Sequence, residues 1–359
     1  AVQSVIESAF QSAGQRCSAL RCLYIQEDIA DTVLNMLIGA MKALSVGDPW
    51  LLSTDCGPVI DTAARQTIMD HVAKARREGR VLAELPPPPD GTFVAPVLIQ
   101  VDGIRDLERE VFGPVLHVAR FAAADLDKVI SEINATGYGL TFGLHTRIDD
   151  RVQHVTEAIE AGNIYVNRNQ IGAIVGSQPF GGEGLSGTGP KAGGPNYLAR
   201  FCAPDRQTAT VDWAGASETS LPAPIGQPND VVTHTLPGPT GESNRLSEIA
   251  RAPLLCLGPG KETADAQARA VAQFGGTAIV VSGAIDPQMV EVAEGFSAVL
   301  WWGDEETGRA LELALSRRPG PILPLIPGEP DRARVLGERH VCVDTTAAGG
   351  NAALLGGDA

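Results

Sequence analysis

Helix-forming and strand-forming patterns alternate along residues 1–169, and this alternation limits the fold more than any other feature of the chain. The opening segment AVQSVIESAFQSAG places five apolar residues on one helical face: Val2, Val5, Ile6, Phe10 and Ala13. The strand-like ALRCLYIQ follows, and residues 27–44 again have helical periodicity. Because strands that alternate with helices usually join one parallel sheet, the pattern predicts an α/β domain with a parallel-rich sheet and helices on both faces.

A second α/β unit is predicted for residues 245–335. Its strand candidates are PLLCL, TAIVVSG, FSAVLWWG and PILPLIP, with helices expected near 262–274, 286–294 and 304–317. This order is Rossmann-like, but the first strand is not followed by the G-x-G-x-x-G sequence that binds a dinucleotide. The LGPG found there is no substitute, because proline removes a backbone N–H donor. We therefore expect a C-terminal Rossmann-like α/β domain that lacks a nucleotide fingerprint.

Four further segments differ from these units in composition. Residues 170–195 are rich in glycine, and because apolar residues interrupt short glycine clusters, an ordered loop is favoured over a low-complexity linker. Residues 199–213 resemble an exposed polar strand, whereas the Pro, Ser, Thr and Gly content of 214–244 predicts a linker. Residues 336–359 contain the alternating HVCVD and then an almost uncharged stretch, which favours a covered segment over a frayed terminus.

The charge and the cysteines exclude several classes of protein. Asp and Glu number 43 against 28 Lys and Arg, and this net charge of −15 argues against a nucleic-acid partner. No apolar run is long enough for a transmembrane segment, and the opening residues lack the basic region of a signal peptide. The six cysteines form neither a C-x-x-C pair nor a group with neighbouring histidines, so we expect no metal site and a reducing cytoplasmic location.

The stretch SAGQRCSALRC places Cys17 three residues after Gly14, a glycine that interrupts the opening helix. A cysteine in a globular protein is most often a small buried apolar residue, and Cys22 and Cys202 fit that interpretation. Cys17 instead lies between Arg16 and Ser18, where a cation and the backbone N–H groups of the following segment would favour the thiolate. From these residues alone, a nucleophile and a buried apolar residue remain alternatives for Cys17.

Three stretches, SAGQRCSALR, EVFGPV and VGSQPFGGEGLSGTG, resemble the ordered motifs of the aldehyde dehydrogenase superfamily. With QPFGGEGLSGTGPKAGGPNYLARF and CVDTTAAGGNAALL, the resemblance covers essentially the whole chain and narrows to the C-terminal portion of a bifunctional branch. That branch joins a flavin-dependent proline dehydrogenase to an L-glutamate-γ-semialdehyde dehydrogenase. The resemblance implies an aldehyde dehydrogenase catalytic domain at 1–198, incomplete at its N-terminus, and a similar domain without catalytic residues at 245–335.

The implied activity is the NAD-dependent oxidation of L-glutamate γ-semialdehyde, formed from Δ1-pyrroline-5-carboxylate, to L-glutamate. By the resemblance, Cys17 is the nucleophile, which passes through a thiohemiacetal and a thioester. Glu110 and Phe112 match the pair that holds the nicotinamide riboside. Without the other motifs, a charge at a helix end and a core Phe would be the simpler interpretation of these two residues.

The substrate site is also implied by the resemblance. Backbone N–H groups of Gly172 and Ala173, assisted by Ser18, would bind the carboxylate of the semialdehyde, since small residues let an anion approach the main chain. Phe180 would form a wall of the pocket.

The family's general-base Glu, its Asn oxyanion donor and its NAD-binding domain match no stretch of these residues. We expect them upstream, together with the FAD-containing proline dehydrogenase, in a parent chain of which this sequence is a fragment. The parent is expected to be a homo-oligomer that uses 199–213 for assembly and 336–359 to cover its internal route, and the isolated fragment to be inactive. Two alternatives stay open: a dehydrogenase for another carboxylated semialdehyde, such as succinate semialdehyde, and a non-catalytic assembly piece.

Overall fold

A computed structural model describes residues 1–202, 207–209, 220–281 and 285–346. The helices are α1 (Val2–Phe10), α2 (Glu27–Lys42), α3 (Thr62–Arg77), α4 (Leu126–Asn134), α5 (Asp149–Ala158), α6 (Gly260–Gln273), α7 (Pro287–Val292), α8 (Glu305–Ser316) and α9 (Arg332–Val335). The strands are β1 (Cys22–Gln26), β2 (Val81–Glu84), β3 (Val97–Gln100), β4 (Val115–Phe121), β5 (Tyr138–Gly139), β6 (Thr141–Leu144), β7 (Asn163–Val166), β8 (Glu183–Gly184), β9 (Val232–Leu236), β10 (Glu242–Ala250), β11 (Leu254–Cys256), β12 (Ala278–Val280), β13 (Ala298–Leu300), β14 (Leu325–Ile326) and β15 (Leu336–Asp344).

The first sheet has the strand order β1-β4-β3-β2, in which β4 pairs in parallel with both β1 and β3. Alternate residues of β4 point to opposite faces: Leu116 and Val118 join the core beneath α1 and α2, whereas Val115 joins the core beneath α3. Helices therefore cover both faces of a parallel-rich sheet, which confirms the fold class predicted from the sequence.

The second sheet joins distant parts of the chain in the order β6-β7-β15-β10-β9. β15 lies between β7, with which it is parallel, and β10, with which it is antiparallel. Its Val341 and Val343 pack with Ile164 and Val166 of β7 and with residues of α4 and α5. The strand predicted from HVCVD is therefore an internal strand of this sheet. β5 and β8 form a separate antiparallel pair.

The third sheet, β12-β11-β13-β14, is parallel throughout, and α6 packs on one face with α7 and α8 on the other. It is the second α/β unit expected from the sequence. In the LGPG turn, the N–H of Gly258 donates to Oε1 of buried Gln267 at 2.9 Å, and its carbonyl accepts from Nε2 of the same side chain at 3.0 Å. These backbone groups are consequently satisfied from within the protein.

Two predicted segments differ from the structure. In place of the start of the strand predicted at 199–213, residues Leu198–Phe201 form a 3-10 helix, since i→i+3 hydrogen bonds and an edge-on contact between Tyr197 and Phe201 favour a tight turn. The rest of that strand lies mostly outside the described residues.

The prediction of a linker at 214–244 was wrong for the second half of that range, because VTHTL forms β9 and pairs with β10. The turn between the two strands contains Gly241 at φ +87°. The division into domains stays a prediction. Across the described ranges, no helix combines the length and the apolar character needed to cross a bilayer.

Candidate active site

Cys17 follows a 3-10 turn whose backbone is unusual. Ser12, Ala13 and Gly14 have consecutive φ angles of 56°, 54° and 63°, in the left-handed region that costs a non-glycine residue about 1–2 kcal/mol. The side chain of Gln15 holds the turn from outside, because its Oε1 accepts the N–H of Ile60 at 2.8 Å. The glutamine of AGQRC thus has a structural contact that its position in the motif did not predict.

The three candidate thiols differ in environment. Cys17 is exposed beside this turn, so it is not the small buried residue that was the alternative. Cys22 is partly buried in β1, and burial raises the pKa of its thiol to about 12. Cys202 is exposed after the 3-10 helix, outside any strand. Cys17 alone combines exposure with a place in the predicted motif.

The AGQRC and EVFGP motifs meet main chain to main chain. A Cβ atom added to Gly14 would lie 2.2 Å from the carbonyl oxygen of Gly113 and 2.9 Å from that of Ala9. Both neighbours are backbone atoms, so they cannot rotate away as a side chain could. Gly14 is required here for its positive φ and for this close approach.

The side chain of Arg21, which precedes β1, contacts both motifs where they meet. Its Nη1 donates to the carbonyl of Gly14 at 2.6 Å and to that of Gly113 at 3.3 Å, and its Nη2 donates to the carbonyl of Arg16 at 3.1 Å. The side chain is 14% exposed. Burial lowers the pKa of Arg21, and the negative charge of Glu110 opposes this effect.

The same guanidinium holds the predicted cofactor pair. Its Nε donates to Oε1 of Glu110 at 3.0 Å, and its Cζ lies 4.7 Å from the ring centroid of Phe112. Phe112 is 44% exposed and the Glu110 side chain 55% exposed, so Phe112 is not a core residue and the carboxylate faces solvent. The structure therefore brings three sequence-predicted residues, Cys17, Glu110 and Phe112, around one arginine.

The glycine-rich segment 170–195, which is predicted to bind the substrate carboxylate and is called the anchor loop below, is joined through Gln170 to the residue after Cys17. The buried Gln170 side chain donates from Nε2 to the carbonyl of Ser18 at 3.1 Å, and its backbone N–H donates to Oγ of Ser8 at 3.2 Å. Gly172 follows at φ +76°. Among the described residues, no backbone carbonyl accepts the N–H of Gly172 or that of Ala173.

Phe180 is half-buried and forms an antiparallel bridge with Ala192, with N–H to carbonyl distances of 2.9 and 2.8 Å. Beneath it, the buried ammonium of Lys191 donates to the carbonyl of Gly181 and, at 3.1 Å, to Oδ1 of Asn163. Nδ2 of Asn163 donates in turn to the carbonyl of Pro179 at 2.8 Å. Two buried side chains thus fix the turn that carries Phe180.

Strand β15 completes this network from the far end of the described chain. The N–H of Lys191 donates to Oε2 of Glu338 at 2.7 Å, and Nδ1 of His340 lies 3.5 Å from Nδ2 of Asn163. Burial lowers the pKa of Lys191 to about 8 and that of His340 to about 3. Both shifts follow from the low polarity of the surroundings.

Sequence reasoning missed Arg21, Gln170 and Lys191. A signal for Arg21 was a charge at the start of an apolar strand pattern, and a signal for Lys191 was a lone cation among glycines. Gln170 has no such signal, since its role depends on a partner in another segment. Among the described residues, no group of three or more His, Cys, Asp and Glu side chains is arranged to hold a metal ion.

The chain is similar in sequence and in fold to known proteins. The sequence profile of the aldehyde dehydrogenase family matches residues 1–205. The bifunctional protein PutA of Escherichia coli strain K12 is 39% identical in an alignment that covers 99% of this chain and 32% of that protein. The chain therefore spans about a third of the length of this curated relative.

Two solved structures have similar folds. A proline utilization A (PutA) mutant from Bradyrhizobium japonicum is 53% identical with a TM-score of 0.55, over 56% of this chain and 20% of that one. A 1-pyrroline-5-carboxylate dehydrogenase from Thermus with bound NAD is 31% identical with a TM-score of 0.51, over 56% of this chain and 39% of that one. These proteins belong to the bifunctional and semialdehyde branches that the sequence motifs resembled.

Proposed function

The chain belongs to the aldehyde dehydrogenase family, and we propose that it carries the nucleophile of an enzyme that oxidises L-glutamate γ-semialdehyde to L-glutamate with NAD. One observation carries the proposal. The exposed Cys17 lies on a turn that Arg21 ties to both Glu110 and Phe112.

Cys17 performs the covalent steps. Its thiolate adds to the aldehyde carbon and forms a C–S bond, and the carbonyl electrons move to oxygen. The backbone N–H of Cys17 is proposed as one donor to this oxyanion. When the oxyanion collapses, the carbon loses its hydrogen with the bonding electrons, and a thioester remains on Cys17. Water then cleaves the thioester, which releases the carboxylic acid and restores the thiol.

Glu110 and Phe112 fit a cofactor that binds beside the cysteine. Oε1 of Glu110 is engaged by Arg21, and among the described residues no partner is recorded for its Oε2. This free oxygen can accept hydrogen bonds from ribose hydroxyls, and the exposed ring of Phe112 offers an apolar face. NAD, when bound there, supplies the acceptor for the departing hydrogen and its electron pair. The NAD named in the Thermus structure supports this assignment.

The anchor loop selects a carboxylated substrate in this proposal. The adjacent residues Gly172 and Ala173 supply two backbone N–H donors, and neighbouring backbone N–H groups can bind an anion. Gln170 holds the carbonyl of Ser18, so the anchor loop keeps a fixed relation to the residue after the nucleophile. Phe180 lines the apolar part of the pocket.

The whole protein is proposed to couple this reaction to proline oxidation by an upstream FAD-containing dehydrogenase, in a cytoplasmic homo-oligomer. The relatives named as bifunctional PutA support this extension, and the chain corresponds to 32% of the E. coli protein. The general base and the second oxyanion donor are proposed to lie in the portion outside these residues.

The test is Cys17→Ser in the intact enzyme, with Cys202→Ser as the matched control because that thiol is also exposed. We expect NADH formation from the semialdehyde to fall by at least about a thousandfold in the Cys17 variant, as for other lost nucleophiles. The control variant should keep its activity, and both should oxidise proline normally. If the Cys17 variant kept a tenth of its aldehyde activity, the assignment would be wrong.

A further inference from the structure

The backbone of Arg21 is fixed at the start of the first sheet. The residue after it, Cys22, pairs with His117 in the parallel β1–β4 ladder. The carbonyl of Arg21 accepts the N–H of His117 at 3.0 Å and lies 2.9 Å from Nδ1 of the same residue. Because His117 is buried in the middle of the sheet, the base of the Arg21 side chain is fixed on a rigid element.

The guanidinium connects two segments that are far apart in sequence. It donates to the carbonyls of Gly14 and Arg16 on the nucleophile side, and to Gly113 and Glu110 on the cofactor side. A planar group with five N–H donors can serve such divergent acceptors at once, and a lysine ammonium cannot reproduce that geometry.

We propose that Arg21 is a positioning residue. It fixes the position of the Cys17 turn, residues 14–17, relative to the Glu110–Phe112 pair. The inference rests on the proposed function above. Arg21 touches neither the reacting carbon nor its hydrogen in this account. It acts through the carbonyls of the nucleophile turn and through the carboxylate and ring that face the cofactor.

The consequence is a specific pattern of kinetic change. Without Arg21, the Glu110 carboxylate loses the hydrogen bond from the guanidinium and the two motifs can separate, so both the KM for NAD and kcat should change. A displacement of about 1 Å can cost about a hundredfold in rate. The KM for the semialdehyde should change little, because the anchor loop is held by Gln170 and Lys191.

The experiment compares Arg21→Lys and Arg21→Met in the intact enzyme with Arg120→Met. Arg120 is the matched control, an exposed arginine of β4 paired with Asp31. We expect a loss of about a hundredfold in kcat/KM for NAD in Arg21→Met, with a smaller loss in Arg21→Lys. The rate of Cys17 alkylation by iodoacetamide, measured by mass spectrometry of its peptide, should change in both variants and stay unchanged in the control.

Each outcome decides the inference. Wild-type NAD kinetics and wild-type Cys17 alkylation in folded Arg21→Met would show that the arginine only supports the fold. If Arg21→Met fails to fold, Arg21→Lys is decisive by the same two measurements. Cys17→Ser separates the two proposals: an active Cys17 variant overturns the proposed function, whereas an inactive one beside unaffected Arg21 variants overturns only the role of Arg21.

Discussion

The two sides of the candidate site are held together in different ways. On the nucleophile side, Arg21, which lies four residues after Cys17, donates hydrogen bonds to three backbone carbonyls. On the anchor side, Lys191 and Asn163 form a buried network that needs Glu338 and His340 of β15. The first side depends on close main-chain packing, and the second depends on side chains from distant segments.

The largest expected effect is on the nucleophile side, from Gly14→Ala. The new Cβ would meet the Gly113 carbonyl oxygen at 2.2 Å, at a φ of +63°. Gly79→Ala is the matched control, since Gly79 has φ +71° with no atom within 4 Å of the added Cβ. We expect the control to lose about 1–2 kcal/mol of unfolding free energy, and Gly14→Ala to lose well over 3 kcal/mol together with aldehyde oxidation.

Thermal and urea unfolding of the two variants measure this difference. Equal losses in both would mean that the two motifs do not depend on their close approach at Gly14.

The next effect concerns the anchor side, from Lys191→Met. Methionine has a similar length but leaves the carbonyl of Gly181 and Oδ1 of Asn163 without this donor. We expect the free energy of unfolding to fall by about 2 kcal/mol, the usual cost of buried groups that lose a partner. Lys261→Met, at an exposed ion pair with Asp265, should change it by less than about 0.5 kcal/mol. Indistinguishable unfolding midpoints for the two variants would contradict the role of the network.

The nucleophile side was more predictable from the sequence than the anchor side. Cys17, Glu110 and Phe112 belong to compact motifs, and the structure brings them around Arg21. The alternation of helix-forming and strand-forming patterns also predicted the parallel sheets. The contact between Gln170 and Ser18 joins residues whose separation no local periodicity encodes.

The position of β15 and the pairing of β9 were missed for the same physical reason. Strand pairing depends on which chain segments meet in space, and the composition of one segment does not encode this. The composition of 214–244 therefore predicted a linker where VTHTL forms β9. Glycine and proline around a strand do not reveal its partner.

Acid should weaken both sides through buried histidines. Burial lowers the pKa of His117 to about 4 and that of His340 to about 3, whereas the unfolded chain titrates near 6.5. As the pH falls below 6.5, only the unfolded chain takes up these protons, so the free energy of unfolding falls until the folded pKa is passed. Each histidine lowers the free energy of unfolding by up to about 1.4 kcal/mol for each pH unit in this range.

His340→Gln should reduce the slope of unfolding free energy against pH by about that amount between pH 6 and 4. His117→Gln should give a similar reduction on the nucleophile side. Urea unfolding at several pH values measures both slopes, and slopes equal to that of the wild type would show that these histidines do not control the acid response.

The smallest expected effect tests selectivity at the anchor loop with Ala173→Pro. Proline removes one of the two free N–H groups. We expect the KM for the semialdehyde to rise by about tenfold, equal to one hydrogen bond to a charged group. The KM for propanal, which has no carboxylate, should be nearly unchanged. A rise of the same size for both aldehydes would reduce the loop to a structural wall.

The internal place of β15 has a consequence for biosynthesis. The ribosome makes β7 long before β15, and the whole second α/β unit emerges between them. Because domains fold as they emerge, the first sheet and the Cys17 turn can form while translation continues. The turn behind Phe180 receives Glu338 and His340 only after β15 has been synthesised. A nascent chain can therefore form the turn at Cys17 before it can complete the hydrogen bonds behind Phe180.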